Sequence, residues 1–304
     1  MIVPRLITEG TMSETPTARR PRIALAGATG RVGRTLTKLL AADSLDLVAL
    51  TRRPSEAREQ LGIEVAEIDF ANSKTIEDAL KGTDRLFISH GTSPQQVTDE
   101  IALIDGAVAA GIGHVVKLST MGPATRRNPV AWHMQIEAHL AQQPISSTVI
   151  RASAFAEMLL SFANQISTGT WNGAGENGRV NFVDTRDVAE AARIALLEDI
   201  EPESQRIYHI TGPRAWSMQQ LAAEFSRVLD RSVSYKSRSL GEQRAALLAG
   251  GLPPFVADLF TGLEQFFRDS ALAETTSTFQ ELTGKPPRKL TDWLVENAAA
   301  FRQA

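Results

Sequence analysis

From Arg22 onward, short apolar runs alternate with amphipathic stretches. Ile23 to Ala26, Leu45 to Leu50 and Ile63 to Phe70 have strand length, while Val32 to Leu40 repeats its apolar positions at helical spacing. The rhythm continues with a helix at Lys74 to Leu80, a strand at Arg85 to Ser89, a helix at Gln95 to Ala110, and strands at His114 to Ser119 and Ser147 to Ile150. Such alternation predicts βαβ units in a doubly wound parallel sheet. Right-handed crossovers place helices on both faces, and ligands then sit outside the carboxyl ends of the strands.

Past Ala152 the alternation weakens. A helical stretch at Phe155 to Ile166 leads to a glycine-rich turn (Gly169, Gly173, Gly175, Gly178) and a strand at Val180 to Val183. A helix at Thr185 to Leu197, with Asp187 in its first turn, precedes a strand at Ile207 to Ile210 that rejoins the main sheet. From Ser217, an N-cap candidate, the chain reads as mainly helical, with apolar positions at Leu221, Ala222, Phe225 and Leu229. The expected organisation is a first domain over residues 22–153, to which 179–213 returns, and a smaller lobe from 154–178 and 214–304. Residues 1–21 read as a flexible tail without a secretory signal, in which Met12 serves as well as Met1 as a start.

Composition narrows the function classes. The chain has 304 residues, 43% hydrophobic and 22% charged, with a net charge of -3, which gives no basis for nucleic-acid binding. The Arg19, Arg20 and Arg22 cluster lacks interleaved aromatics and reads as solvated. Because there is no cysteine, disulfides, thiolate catalysis and sulfur-ligated metals are excluded; a cytoplasmic setting is expected. The histidines (His90, His114, His133, His139, His209) lack metal-binding spacing, so no metal is expected, and no G-x-S-x-G elbow supports a serine hydrolase. No segment reaches the roughly 18 consecutive apolar residues of a membrane span.

The sharpest local signal is Gly27-Ala28-Thr29-Gly30-Arg31-Val32-Gly33, between the first strand and the first helix. Glycines let main-chain N–H groups approach a pyrophosphate, and the helix N-terminus adds partial positive charge. With the surrounding βαβ pattern, this predicts a Rossmann-type α/β fold that binds a dinucleotide, with the C-terminal lobe taking substrate. About 20 residues on, where a carboxylate would meet a ribose 2′-hydroxyl, stand Thr51, Arg52 and Arg53. Guanidinium groups donate hydrogen bonds to a 2′-phosphate that a carboxylate would repel, so NADP(H) is the expected cofactor. Arg31 and Arg34 read equally well as helpers at that phosphate or as plain surface arginines.

Other candidates follow the strand ends. Asp69 reads as a partner for the adenine amino group or as a turn residue, with Phe70 beside it. His90, Gly91 and Thr92 are expected under the ribose or nicotinamide. Ser119 is expected to meet the carboxamide or substrate, and Thr120, Met121, Trp132 and Phe155 to line an apolar pocket for a flat acceptor. Lys117, inside the fifth strand, reads as reaching the site or snorkelling to solvent. The apolar helical region from Leu247 to Phe267 is expected to be mostly core, with some of its residues joining Trp132 and Phe155 in an apolar pocket over the nicotinamide.

The glycine turn, Thr51-Arg52-Arg53-Pro54, Asp69-Phe70, Lys117-Leu118-Ser119, Asp184-Thr185-Arg186-Asp187-Val188-Ala189 and Thr283-Gly284-Lys285-Pro286-Pro287 together resemble the NmrA-like family of atypical short-chain dehydrogenase/reductases. That resemblance implies either NAD(P)H-dependent quinone or azo reduction or a non-catalytic NADP(H)-binding redox sensor. A homodimer or a regulatory protein partner is compatible with it. Catalytic short-chain dehydrogenases carry Tyr-x-x-x-Lys after the fifth strand. Here the expected helix Pro129 to Gln142, registered by Glu137, puts Pro129 at the Tyr position and His133 at the Lys position. His133 reads either as a proton donor or as a surface histidine, charged by Glu137 four residues on. Quinones tolerate the missing tyrosine, because the hydroquinone anion takes its proton from water. The resemblance therefore implies direct hydride transfer to quinone-like or conjugated acceptors, with a non-catalytic sensor as the alternative.

Overall fold

The computed structural model describes residues 21–302. The expected tail and the choice between Met1 and Met12 thus fall, Pro21 apart, outside the described residues. The nucleotide half runs β1 (Arg22–Ala26), α1 (Arg31–Ala42), β2 (Asp46–Thr51), α2 (Pro54–Leu61), β3 (Glu64–Glu67), α3 (Ser73–Leu80), β4 (Arg85–Ile88), α4 (Gln96–Ala109), β5 (His114–Thr120), α5 (Val130–Leu140) and β6 (Ser146–Ala152). Next come β7 (Ala154–Phe155), a 3-10 helix (Ala156–Phe162), α6 (Ala163–Ser167), β8 (Thr170–Gly173), β9 (Arg179–Val183), α7 (Thr185–Leu197) and β10 (Gln205–Ile210). The chain closes with β11 (Ala215–Ser217), α8 (Met218–Leu229), β12 (Ser234–Ser237), α9 (Leu240–Ala249), α10 (Pro254–Arg268), α11 (Thr278–Thr283) and α12 (Leu290–Glu296), followed by a 3-10 turn.

The main sheet has the order β3-β2-β1-β4-β5-β6-β10, every neighbouring pair being parallel. Alternate residues of each strand enter different cores. Ile23, Leu25, Phe87, Val116 and Ile150 pack against α1 and α7, whereas Ala24, Val48, Leu86, Val115 and Val149 pack against α3, α4 and α5. This is the Rossmann-type doubly wound α/β sheet. Its strand order reverses between β1 and β4, so the crevice lies where the glycine turn after β1 meets the loop after β4.

The segment after β6 divides between the layers. Asp184 caps α7, its side chain accepting from Arg186 N, and α7 covers the main sheet while β10 extends it. The preceding β9 instead joins a small sheet with β7 and β11. The second core gathers Trp171, Phe182, Trp216, Phe225, Phe267 and Trp293. Helix α8 starts at Ser217 in a capping box with Gln220. Among the described residues, no helix is long and apolar enough to cross a membrane, and no group of three or more His, Asp or Glu is placed to hold a metal.

Candidate nucleotide and acceptor site

The turn between β1 and α1 is built so tightly that side chains are excluded. Gly27 has φ of 91°, and a Cβ there would lie 2.1 Å from the Ser89 carbonyl oxygen; at Gly33 it would lie 2.1 Å from that of Gly27. Both distances are far inside van der Waals contact. Gly30 N donates to Gly27 O at 2.9 Å, and Gly30 forms the N-cap of α1 without a side-chain bond and with no acid in the first turn. The amides that open the helix are therefore left for an outside acceptor, at the positive end of its dipole. This cradle fits a diphosphate.

Beside it lies a polar cavity of about 130 Å³ lined by Thr29, Arg34, Thr51, Arg53, Glu56, Ala57 and Gln60. Arg34 is held in place, Nε donating to Thr29 O at 2.9 Å and Nη2 to Gln60 Oε1 at 2.8 Å. Arg53 is 74% exposed and pairs with Glu56 at 3.0 Å, so its guanidinium can change partners at little cost. Arg52 goes elsewhere, lying over the Phe70 ring at 5.6 Å. Successive residues of an extended chain face opposite ways, which separates the two arginines that adjoin in sequence. Arg31 is exposed at the start of α1.

Phe70 and His90 form an edge-to-face pair, centroids 5.9 Å apart, bridging the ends of β3 and β4. His90 contacts Gly91 O through Nδ1 at 2.6 Å and Asp99 Oδ2 through Nε2 at 2.9 Å, which pins the loop to the start of α4. Gly91 and Thr92 are exposed beyond it. Asp69 Oδ1 accepts from Ala71 N at 2.9 Å, so this carboxylate is partly engaged in its own turn.

The largest departure from expectation lies under β5. Lys117 neither snorkels nor opens into the site: it is fully buried and pairs at 2.8 Å with Glu100 of α4, also fully buried. Its Nζ also donates to Leu118 O and lies 3.2 Å from His133 Nδ1. Lys117 follows Val115 on the strand face covered by α4 and α5, so no path to solvent exists for its stem. The expected His133–Glu137 pair is likewise replaced. Glu137 accepts from Arg151 of β6, Nη2 at 2.5 Å and Nε at 3.1 Å, and from Ser119 Oγ. Burial, and then the neighbouring Lys117 ammonium, hold His133 well below the usual histidine range. It is a neutral ring.

The expected acceptor-pocket residues occupy three neighbourhoods. Met121 is buried in the second core, Phe155 packs against the nucleotide-half core, and Thr120 is half-buried, its Oγ1 donating to Met121 O at 3.1 Å. Trp132 stacks on Phe255 of α10 at 5.9 Å, linking the first turn of α5 to the α9–α10 hairpin. Within α10, Phe266 and Phe267 are core, whereas Phe255 is 38% exposed. Sequence reasoning did not single out Glu100, Gln96 or Glu157. Glu157, just past β7, accepts from Thr185 Oγ1 at 2.5 Å, and its Oε2 is buried with no partner among the described residues. Burial pushes its carboxyl up. Glu100 at least carried a signal: an acid on the helix face otherwise formed by Leu103, Ile104 and Ala107.

The sequence profile of the NmrA-like family matches residues 19–294. The chain belongs to the NmrA-like family. This NmrA-like protein is 30% identical over 288 residues to an NAD(P)H azoreductase of Xenophilus azovorans, covering 93% of this chain and 100% of the relative. It is 28% identical over 277 residues to quinone oxidoreductase 2 of Escherichia coli, covering 89% and 96%. The solved structure of that NADPH-dependent quinone oxidoreductase in complex with NADPH superimposes with a TM-score of 0.84 at 26% identity, covering 90% of this chain and 99% of that one.

Proposed function

We propose that this NmrA-like protein is a cytoplasmic NADPH-dependent reductase of quinone-like or conjugated acceptors, acting without a Tyr-x-x-x-Lys pair. The observation that carries the reading is the cavity holding Arg34 and Arg53 beside an uncapped helix start whose Gly27 and Gly33 admit no side chain. A diphosphate and an adenosine 2′-phosphate are the anions this pair of features suits. The resemblance to an azoreductase and an NADPH-dependent quinone oxidoreductase supports the acceptor class.

The bound cofactor supplies the hydride. The Gly27–Gly33 turn binds the diphosphate, and Arg53 exchanges Glu56 for the 2′-phosphate. His90, fastened to Asp99, orients the loop under the sugar. Trp132 and Phe255 offer a flat apolar wall that positions a conjugated ring. A quinone then needs only orientation, because its reduced anion is stabilised and water protonates it. Cofactor calorimetry followed by an acceptor screen tests this: submillimolar NADPH binding and turnover with quinones are expected, and NADPH oxidation at background across quinones, azo dyes and enones overturns it. Tight cofactor binding without turnover would instead favour a redox sensor.

A further inference from the structure

Burying a strand lysine against a helix glutamate beneath a parallel sheet is costly, and an apolar pair of similar volume would fill the space as well. Four side chains form one connected group here. Lys117 Nζ meets Glu100 Oε2 at 2.8 Å and His133 Nδ1 at 3.2 Å; Gln96 Nε2 meets Glu100 Oε1 at 3.0 Å and His133 Nε2 at 3.3 Å. Lys117, Glu100 and Gln96 are closed off, at 0%, 0% and 1% exposure, and His133 alone of the four is half-open. The ring stands on the first turn of α5, next to Trp132 of the apolar wall. The remaining charged groups nearby are already committed: Asp99 to His90, Glu137 to Arg151 and Ser119.

The hydrogen-bond donors set the tautomer of the ring. A neutral imidazole has one N–H and one bare nitrogen. When the Gln96 amide donates to Nε2, the ring proton sits on Nδ1, the nitrogen that faces Lys117 Nζ. When Lys117 is an ammonium donating to Nδ1, the ring proton sits on Nε2 and needs an acceptor other than an amide nitrogen. The second arrangement carries its N–H on Nε2, the nitrogen that lies against Gln96, so the Gln96 contact must give way before that proton reaches an acceptor.

We infer that Lys117 and His133, anchored by Glu100, form a proton relay that protonates those acceptors whose reduced anion is too basic to wait for water; this rests on the reductase reading. The hydride that bound NADPH would supply adds to one atom of an azo or enone group, whose π bond breaks and leaves its electron pair on the far nitrogen or oxygen. The His133 Nε2–H bond breaks as the new N–H or O–H bond forms. A Lys117 Nζ–H proton moves to Nδ1, leaving a neutral amine beside Glu100. After product leaves, water protonates Nε2 and the shift reverses. In this scheme His133 touches the acceptor and Lys117 is a positioning residue acting through it.

The test compares an azo dye with 1,4-benzoquinone in the wild type, His133→Gln, His133→Ala and Lys117→Met. The azo-to-quinone ratio of kcat is expected to fall about 100-fold in His133→Gln, the lower range for losing a general acid. Added imidazole should restore the ratio in His133→Ala. Should Lys117→Met fold poorly, Lys117→Met/Glu100→Leu removes the charge without stranding its partner. Ring NMR gives a readout apart from turnover: His133 should not titrate in the ordinary histidine range in the wild type, and should move up towards it in the double variant. Equal losses on both acceptors, no imidazole rescue, or a normally titrating wild-type His133 would each overturn the relay while leaving the reductase reading intact. A wild type that reduces neither acceptor takes down both.

Discussion

Replacing Arg53 with alanine separates the two nicotinamide dinucleotides. In the free protein Arg53 is 74% exposed and holds Glu56 at 3.0 Å, a surface pair worth about 0.5 kcal/mol. Binding a 2′-phosphate replaces that pair with a charge-assisted hydrogen bond worth about 1.5–3 kcal/mol. The difference, about 1–2.5 kcal/mol, corresponds to an NADPH Kd raised about 5- to 70-fold in Arg53→Ala. NADH has no 2′-phosphate, and its Kd should move by less than about twofold. Arg34→Ala should show the same preference, because its guanidinium faces the same cavity. Arg52→Ala should weaken both cofactors alike, its group lying over Phe70. Glu56→Gln removes a carboxylate that competes for Arg53 and should tighten NADPH alone. Calorimetry of each variant with both cofactors is the assay. Parallel losses of NADPH and NADH in Arg53→Ala would refute the assignment of this cavity to the 2′-phosphate.

Four further outcomes are expected. Gly33→Ala puts a methyl 2.1 Å from Gly27 O and should abolish dinucleotide binding while costing about 1–3 kcal/mol of stability, read by calorimetry and urea titration. Lys117→Met strands buried Glu100 and should cost about 3–5 kcal/mol in urea unfolding, with Lys117→Met/Glu100→Leu recovering most of it; additive losses would argue against the pair. Burial pushes buried Glu264 up to about 7 although Ala174 N and Gln243 Nε2 donate to it. A carboxyl raised on folding stabilises below its unfolded pKa, near 4.5, and that contribution is lost as pH rises through about 7. Wild type minus Glu264→Gln stability should therefore drop by about 3 kcal/mol between pH 4.5 and 8, and a flat difference would contradict this. Trp132→Ala should raise KM for flat acceptors more than it lowers kcat, and an unchanged KM would remove Trp132 from the acceptor wall.

Much of the nucleotide half was readable in order along the chain. The boundaries of α7, the cap at Ser217 and the crossover rhythm rest on interactions within a few residues, which local spacing records. The second lobe was less legible. Strands β7, β8, β11 and β12 are two to four residues long, too short for a period to register, and the stretch read as one helix over Phe155 to Ile166 is a two-residue strand, a 3-10 helix and a short α-helix. Pairing of β9 with β11 and β7 is a choice among distant partners, which no local pattern encodes.

By itself the sequence determined that a glycine turn ends the first strand, that arginines follow the second, and that the Tyr-x-x-x-Lys pair is missing. Those are statements about residue type at a position, and backbone sterics and charge make them binding wherever the chain goes. Only the tertiary structure decided which arginine shares a cavity with Arg34, that Lys117 is sealed against Glu100, and that Arg151 takes Glu137 away from His133. Each of these depends on which helix covers which face of the sheet. A helical i, i+4 pair offers a fraction of a kcal/mol, so a bidentate guanidinium from a neighbouring strand prevails.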